Sequence, residues 1–394
     1  MRKVYDFENG VGVIGLMSGT SLDGLDLCHV RFFFKDGKWS YETLDAEDEE
    51  YPAELKDRLA RAQVMTAQEY ALLHSDYGLY LGERVKAFME RHNLLPMDGL
   101  CTDSRREVAI VASHGQTVFH QPHLRFTSQI GSGAGMAAAC GVDTVCDFRT
   151  TDVALGGQGA PLVPIGDRHL FGSYDYCLNL GGFSNISFEE AHLQASSVSD
   201  LTGQRRLAHD ISPVNYVLNH YTRQIGLEYD KDGQIARSGS ISRPLLHSLN
   251  SLPFYGQAGP KSLGREWVEK EILPLIEAAR TPEGASLSMA DKLCTFTEHA
   301  AFQISLSIKQ NTAEKAKVLV TGGGAFNKYL LERMRFNAPQ AEFIVPDQIT
   351  VKFKEALIFA FLGALYIADQ PNCMSSVTGA SYDCIGGAMY KAGR

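Results

Sequence analysis

No apolar run in these 394 residues reaches the length of a membrane span. The nearest, "EALIFAFLGALYIA" at 355–368, has the length of a buried helix. Positive charge is in short supply: 37 Lys and Arg stand against 46 Asp and Glu, a net charge of -9. That balance argues against a nucleic-acid surface and against docking on an acidic membrane. It leaves room for a local anion site, which needs only a few amides or cations. The opening "MRKVYDFENG" has two positive charges but no apolar core before Asp6, so no signal peptide is expected. Cys-x-x-Cys is absent. The eight cysteines, at 28, 101, 140, 146, 177, 294, 373 and 384, are scattered among mostly apolar neighbours. They read as reduced, buried thiols of a cytoplasmic protein, and a zinc centre is not expected.

Common catalytic motifs are missing too. There is no G-x-x-x-x-G-K-[ST] phosphate loop and no G-x-S-x-G nucleophile elbow. "GSGAGMAAA" at 131–139 mimics a dinucleotide fingerprint, but Met136 occupies the place of the third glycine. Its small residues read instead as a helix face suited to close packing. His114, His120 and His123 lack the spacing of a helical metal site.

What is present is an α/β alternation in a chain long enough for two domains. "VGVIGLMSGTSLDGLDLCHVRFFF", residues 11–34, reads as two strands around a polar tip. Helical periodicity follows over 52–93, a buried strand over 107–120, and a short helix then a strand over 135–148. "LGGQGAPLVPIG" at 155–166 is the best candidate for a domain crossing. A second hairpin, "YDYCLNLGGFSNISF", occupies 174–188 and echoes the first. Helices are expected after Ser212, which reads as a cap, then over 262–313 and 355–368. A strand, a triple glycine and a helix are expected over 317–334. The echoed hairpins suggest two related lobes, with boundaries at 1–155 plus about 372–394 and at 156–371.

Three Gly-rich loops, 18–24, 181–185 and 322–327, each follow a strand-like run. Amides not covered by a Cβ can approach phosphate oxygens, and three such loops point to a nucleotide clamp. In order along the chain, "GLMSGTSLDGLD", "SHGQTVFH", "GGQGAPLVP", "NLGGFSN", "DKDGQIARSG", "PKSLGRE", "TGGGAFN" and "VTGA" resemble the anhydro-N-acetylmuramic acid kinases. The resemblance implies the two-lobed fold of actin, the sugar kinases and the heat-shock chaperones, with ATP in a cleft between the lobes. It also implies the reaction: ATP, water and 1,6-anhydro-N-acetylmuramic acid give N-acetylmuramic acid 6-phosphate and ADP, in cytoplasmic recycling of cell-wall sugars. The implied partners are ATP and a small sugar, and homodimers are common in the family.

By the same resemblance Gly19, Thr20, Ser21, Leu22, Asp23, Gly24, Leu25 and Asp26 form the first phosphate hairpin, with Asp23 holding Mg²⁺ through water. Gly181, Gly182, Ser184 and Asn185 form the second. Gly322, Gly323, Gly324 and Asn327 flank the adenosine. Asp210 is the implied base and Glu355 an acid near the sugar; taken alone, they read as a cap or ion-pair partner and as a charge in a helix's first turn. His114, Gln116, Thr117, Gln158 and Lys261 are candidate sugar contacts, and Arg265 either meets the sugar's carboxylate or braces the site.

Two departures stand out. The family's Gly-Pro-Gly-Asn turn after the base reads Ser212, Pro213, Val214, Asn215 here, and Phe353 and Lys354 precede Glu355 where smaller residues are commoner. The altered turn leaves two alternatives open: a kinase of another amino or anhydro sugar, and a nucleotide-binding regulator without catalysis.

Overall fold

The computed structural model describes residues 4–19, 22, 24–94, 106–190, 205–257, 261–310 and 316–393. The chain forms two compact units, Met1–Leu170 with Phe353–Arg394, and Phe171–Lys352. Segments 156–170 and 353–371 therefore side with the first unit, where the sequence reading put them with the second. The reason is packing: helix Pro164–Leu170 lies on the first unit's sheet, and the long helix Gln348–Ile367 is buried against it from Phe353 onward.

The first unit carries strands β1 (Val11–Ser18), β2 (Leu25–Lys35), β3 (Lys38–Glu49), β4 (Val108–Ser113), β5 (Gln116–Gln121), β6 (Phe126–Ile130), β7 (Thr144–Cys146) and β13 (Ala388–Tyr390). Its main sheet runs β13-β7-β4-β1-β2-β3, with β1, β2 and β3 an antiparallel meander and β4 parallel to β1. The second unit carries β8 (Tyr176–Leu180), β9 (Phe183–Glu190), β10 (Arg205–Pro213), β11 (Lys317–Thr321) and β12 (Glu342–Ile344), ordered β10-β9-β8-β11-β12. Again three antiparallel strands are followed by two parallel ones. The same order therefore occurs twice, the duplicated α/β plan that the two-lobed reading requires.

Local chemistry explains the elements near the site. β1 is buried at nearly every position because it lies mid-sheet, and a Cβ at Gly15 would stand 2.0 Å from the carbonyl of Ala356 on the long helix. Helix Ala67–Arg91 opens with a Thr66–Glu69 capping box. It packs so closely on helix Gly133–Cys140 that a Cβ at Gly78 would lie 2.4 Å from Ser132 O; close packing is thus what "GSGAGMAAA" serves. Lys354 is buried and pairs with buried Asp167 at 2.7 Å, and Phe353 joins the core. That departure from the family pattern is a structural ion pair.

Three expectations are corrected. Ser212 caps nothing: β10 runs through Pro213 and the helix begins at Asn215, after Val214. The stretch 262–313 is not one helix but a short helical segment ending near Ala278, a loop containing Pro282 and Gly284, and helix Met289–Gln310. The long helix expected over 355–368 starts at Gln348, so Glu355 lies well inside it and not in its first turn.

Candidate active site

In the second unit the hairpin between β8 and β9 turns at Gly181–Gly182. Neither glycine has a positive φ, and a Cβ at either would meet nothing closer than 3.4 Å. The fold does not demand glycine there, and what glycine supplies is an uncovered backbone. Gly182 and Asn185 are exposed, while Ser184 is buried beneath them. Gly322 differs: its φ is +80° and a Cβ would stand 2.5 Å from Asn179 Oδ1 and 2.9 Å from the Leu180 carbonyl. Its glycine lets the β11 loop close on the end of β8. Gly323 is exposed, and Asn327 caps helix Lys328–Asn337 by accepting from the Leu330 N–H at 3.0 Å.

Asp210 stands on β10, opposite Asn185 and beside a bulge at Ile211. A neighbouring loop grips it twice. Its N–H donates to Lys261 O at 2.9 Å, and the Leu263 N–H donates to its Oδ2 at 2.8 Å. Burial raises the Asp210 pKa and the Leu263 N–H partly offsets this. Burial, aided by the Lys261 charge, holds His209 down at about 4, so it is neutral at physiological pH. Lys261 Nζ donates to Phe254 O at 3.1 Å and lies 4.5 Å from the Phe254 ring centre.

The altered turn leaves this geometry open. Neither Ser212 nor Val214 has a positive φ, and both side chains are fully buried. The turn is fastened to the hairpin: the Val214 and Asn215 N–H groups donate to Gly182 O and Gly181 O at 2.8 and 3.3 Å. The Ser212 N–H donates to Ser184 Oγ at 3.2 Å, and Ser184 Oγ donates to Ser212 O at 2.9 Å.

In the first unit, Thr20, Ser21 and Asp23 lie outside the described residues, as does Cys101. Gly19 O accepts from Leu22 N–H at 3.1 Å, and Leu22 adopts φ +58°. Leu25 is a core residue with only its backbone to offer, whereas the Asp26 side chain is half-buried. His114 is spent on protein partners. Its Nδ1 meets Ser18 O at 3.3 Å and its Nε2 accepts from Arg149 at 2.9 Å, while burial keeps it neutral, with a pKa of about 3. Gln116 is buried, and its Oε1 has no partner among the described residues. Thr117 is half-buried and Gln158 exposed.

Arg149 is the residue that sequence reading missed. Its guanidinium also donates to Gly159 O at 2.8 Å, inside the "GGQGAP" segment, and interacts electrostatically with Glu355. Burial lowers its pKa to about 10, with the Glu355 charge opposing. The Glu355 side chain is exposed, yet the surrounding protein raises its pKa against the pull of Lys354 and Arg149. No motif or periodicity in the sequence distinguishes Arg149.

Among the described residues one group has metal-ligating geometry: Asp152, Cys373 and Cys384, all buried. Asp152 already accepts from Thr378 Oγ1 and from the Gly159 N–H, both at 2.7 Å. Its thiols are soft ligands unsuited to Mg²⁺, so it buttresses the loop. Arg265 begins a short helix and is exposed.

These residues lie within a likeness that extends over the whole chain. A model of the family described as anhydro-N-acetylmuramic acid kinase matches residues 11–392. An anhydro-N-acetylmuramic acid kinase of Shewanella pealeana is 33% identical over 395 residues, covering 96% of this chain and 98% of that protein. One from Aliivibrio fischeri is 35% identical over 393 residues, covering 96% and 99%. The chain belongs to the anhydro-N-acetylmuramic acid kinase family.

Proposed function

We propose that this enzyme uses ATP to open and phosphorylate 1,6-anhydro-N-acetylmuramic acid, with Asp210 as the base. The observation that carries this reading is the half-buried Asp210 carboxyl, gripped by the Lys261–Leu263 loop and set opposite Asn185 on the strand that follows the Gly181–Gly182 hairpin, in a member of this kinase family. Water attacks the anomeric carbon and gives its proton to Asp210. The bond from that carbon to O6 breaks, O6 attacks the γ-phosphorus, and ADP leaves with the former bridging oxygen. The alternative of a regulator without catalysis loses its motive, because the altered turn buries its new side chains in the core.

The hairpin amides at 181–182 are assigned to phosphate oxygens. Magnesium needs hard oxygen donors and keeps much of its water. The Asp26 carboxylate suits it chemically, and Asp23 is assigned beside it by resemblance. When bound, the ion would neutralise charge on the transferring phosphoryl group. In the first unit Gln116 and Glu355 are assigned to the sugar, with Arg149 holding the loop that carries Gln158. Among the described residues seven free, buried cysteines suit the reducing cytoplasm assigned to the enzyme.

Mass spectrometry after incubation with Mg·ATP and the anhydro sugar tests the reaction. A product heavier by one phosphate and one water is expected; phosphate without water would leave a plain sugar kinase, and no product would refute the reading. The pH dependence of kcat follows from Asp210. Only the ionised form accepts a proton, so activity falls as pH drops through its raised pKa, above the ordinary aspartate value. An acid limb at or below about 4 would contradict the assignment. Arg149→Lys keeps the charge but cannot span both His114 and Gly159 with one planar fork. A fall of about tenfold or more in kcat/KM for the sugar is expected, with KM for ATP nearly unchanged in steady-state kinetics.

A further inference from the structure

Asp210 is held by a loop that is itself held. The Lys261 carbonyl accepts the Asp210 N–H at 2.9 Å, and the Leu263 N–H donates to the carboxylate at 2.8 Å. One loop therefore fixes both the backbone and the side chain of Asp210. What fixes the loop is the Lys261 side chain. Its ammonium donates to the carbonyls of Phe254 and Gln257, at 3.1 and 3.4 Å, and stands 4.5 Å from the Phe254 ring centre. Two of its three N–H groups are thereby spent on the protein.

The turn that receives this ammonium, Pro253–Gly256, is anchored in the core. Phe254 is buried, with its ring centre 5.2 Å from that of Trp267. The Tyr255 hydroxyl lies 2.8 Å from His299 Nε2, and His299 Nδ1 lies 2.7 Å from Asn250 Oδ1. Asn250 Oδ1 is an acceptor and takes a second hydrogen bond from Gln303 Nε2 at 2.9 Å, so His299 Nδ1 carries the hydrogen. The imidazole is buried and neutral, which leaves Nε2 to accept from the Tyr255 hydroxyl. Helices Met289–Gln310 and Arg243–Asn250 thus fix the turn, the turn fixes Lys261, and Lys261 fixes Asp210.

We propose that Lys261 is a positioning residue for Asp210: its ammonium, docked on the anchored turn, sets the loop that orients the base. The proposal rests on the reading of Asp210 as the base. Lys261 then acts on turnover through Asp210, and not by touching the sugar. Burial raises the Asp210 pKa and the Leu263 N–H opposes it. The titratable neighbours are His209, neutral at physiological pH, and Lys261 itself. Losing the Leu263 hydrogen bond therefore moves the Asp210 pKa further up.

Lys261→Met tests this, since it keeps the length of the side chain and removes its donors. Its kcat for the anhydro sugar is expected to fall about tenfold with KM for the sugar unchanged. The acid limb of kcat should move up by about half to one pH unit. Amide hydrogen exchange, read by mass spectrometry of peptides spanning 210 and 263, should quicken about tenfold or more there and stay parental elsewhere in the second unit. A raised KM with kcat and limb unmoved would make Lys261 a sugar contact and overturn the proposal. So would a shifted limb with parental exchange, which would leave only the charge acting, or faster exchange over the whole unit, which would mark a general loss of stability. A parent enzyme that fails to phosphorylate the sugar refutes the functional reading instead. Exchange needs no substrate and still judges whether Lys261 holds the loop.

Discussion

Asp210→Asn removes about 10²- to 10⁴-fold of turnover and leaves ATP affinity unchanged. The amide has the shape of the carboxyl, and its oxygen still accepts the Leu263 N–H, so the loop at 261–263 keeps its grip. What is lost is the capacity to take a proton from water. Stability moves the other way. Burial raises the Asp210 pKa in the folded chain, so the stability tied to its protonated form is present at low pH and lost as pH rises through that value. At pH 8 the carboxylate opposes folding and the neutral amide does not. The variant should therefore melt no lower than its parent while being nearly inactive. Calorimetric titration with nucleotide, steady-state turnover and a melting curve separate these effects. Near-parental kcat would refute the assignment.

Lys354→Met should cost about 3–5 kcal/mol of stability, the largest structural effect expected here. The pair it breaks is almost fully buried, at 6% and 4% side-chain exposure, and joins helix Pro164–Leu170 to the long helix. The single substitution strips the buried Asp167 carboxylate of this countercharge. Adding Asp167→Leu removes the charge as well, and most of the lost stability should return, because a well-packed apolar pair does as well as a buried ion pair. Urea denaturation midpoints at constant slope provide the measurement. A loss below about 1 kcal/mol in the single variant would place this pair with weak surface ion pairs.

Much of the fold is legible in order and type. β1 and β4 announce themselves as continuous apolar runs because they are buried, and Pro52 marks a helix start. β3, "KWSYETLDAEDE", escapes such reading. It is an edge strand whose acids meet Arg91, His92 and Arg106 instead of the core, so its alternation is masked by charge. β10 is hidden for a related reason: Arg206 is fully buried within it, paired with Glu189. Ser212 looked like a cap because it precedes a helical pattern, but the hydrogen bonds of β9 claim the chain through Pro213 first.

The sequence by itself determined the two hairpins and the order of the Gly-rich loops, which are written in short contiguous patterns where local backbone freedom and periodic burial leave their mark. Its resemblance to the family, and nothing in the local pattern, pointed to Asp210 as the base to test. Only the tertiary structure decided that Arg149 takes up His114, that Lys354 neutralises Asp167 within the first unit's core, and that His299 joins Tyr255 to Asn250. Those pairings join residues far apart in the chain. Their energy comes from burying charge and hydroxyl groups together, and no local spacing records which partner each will meet.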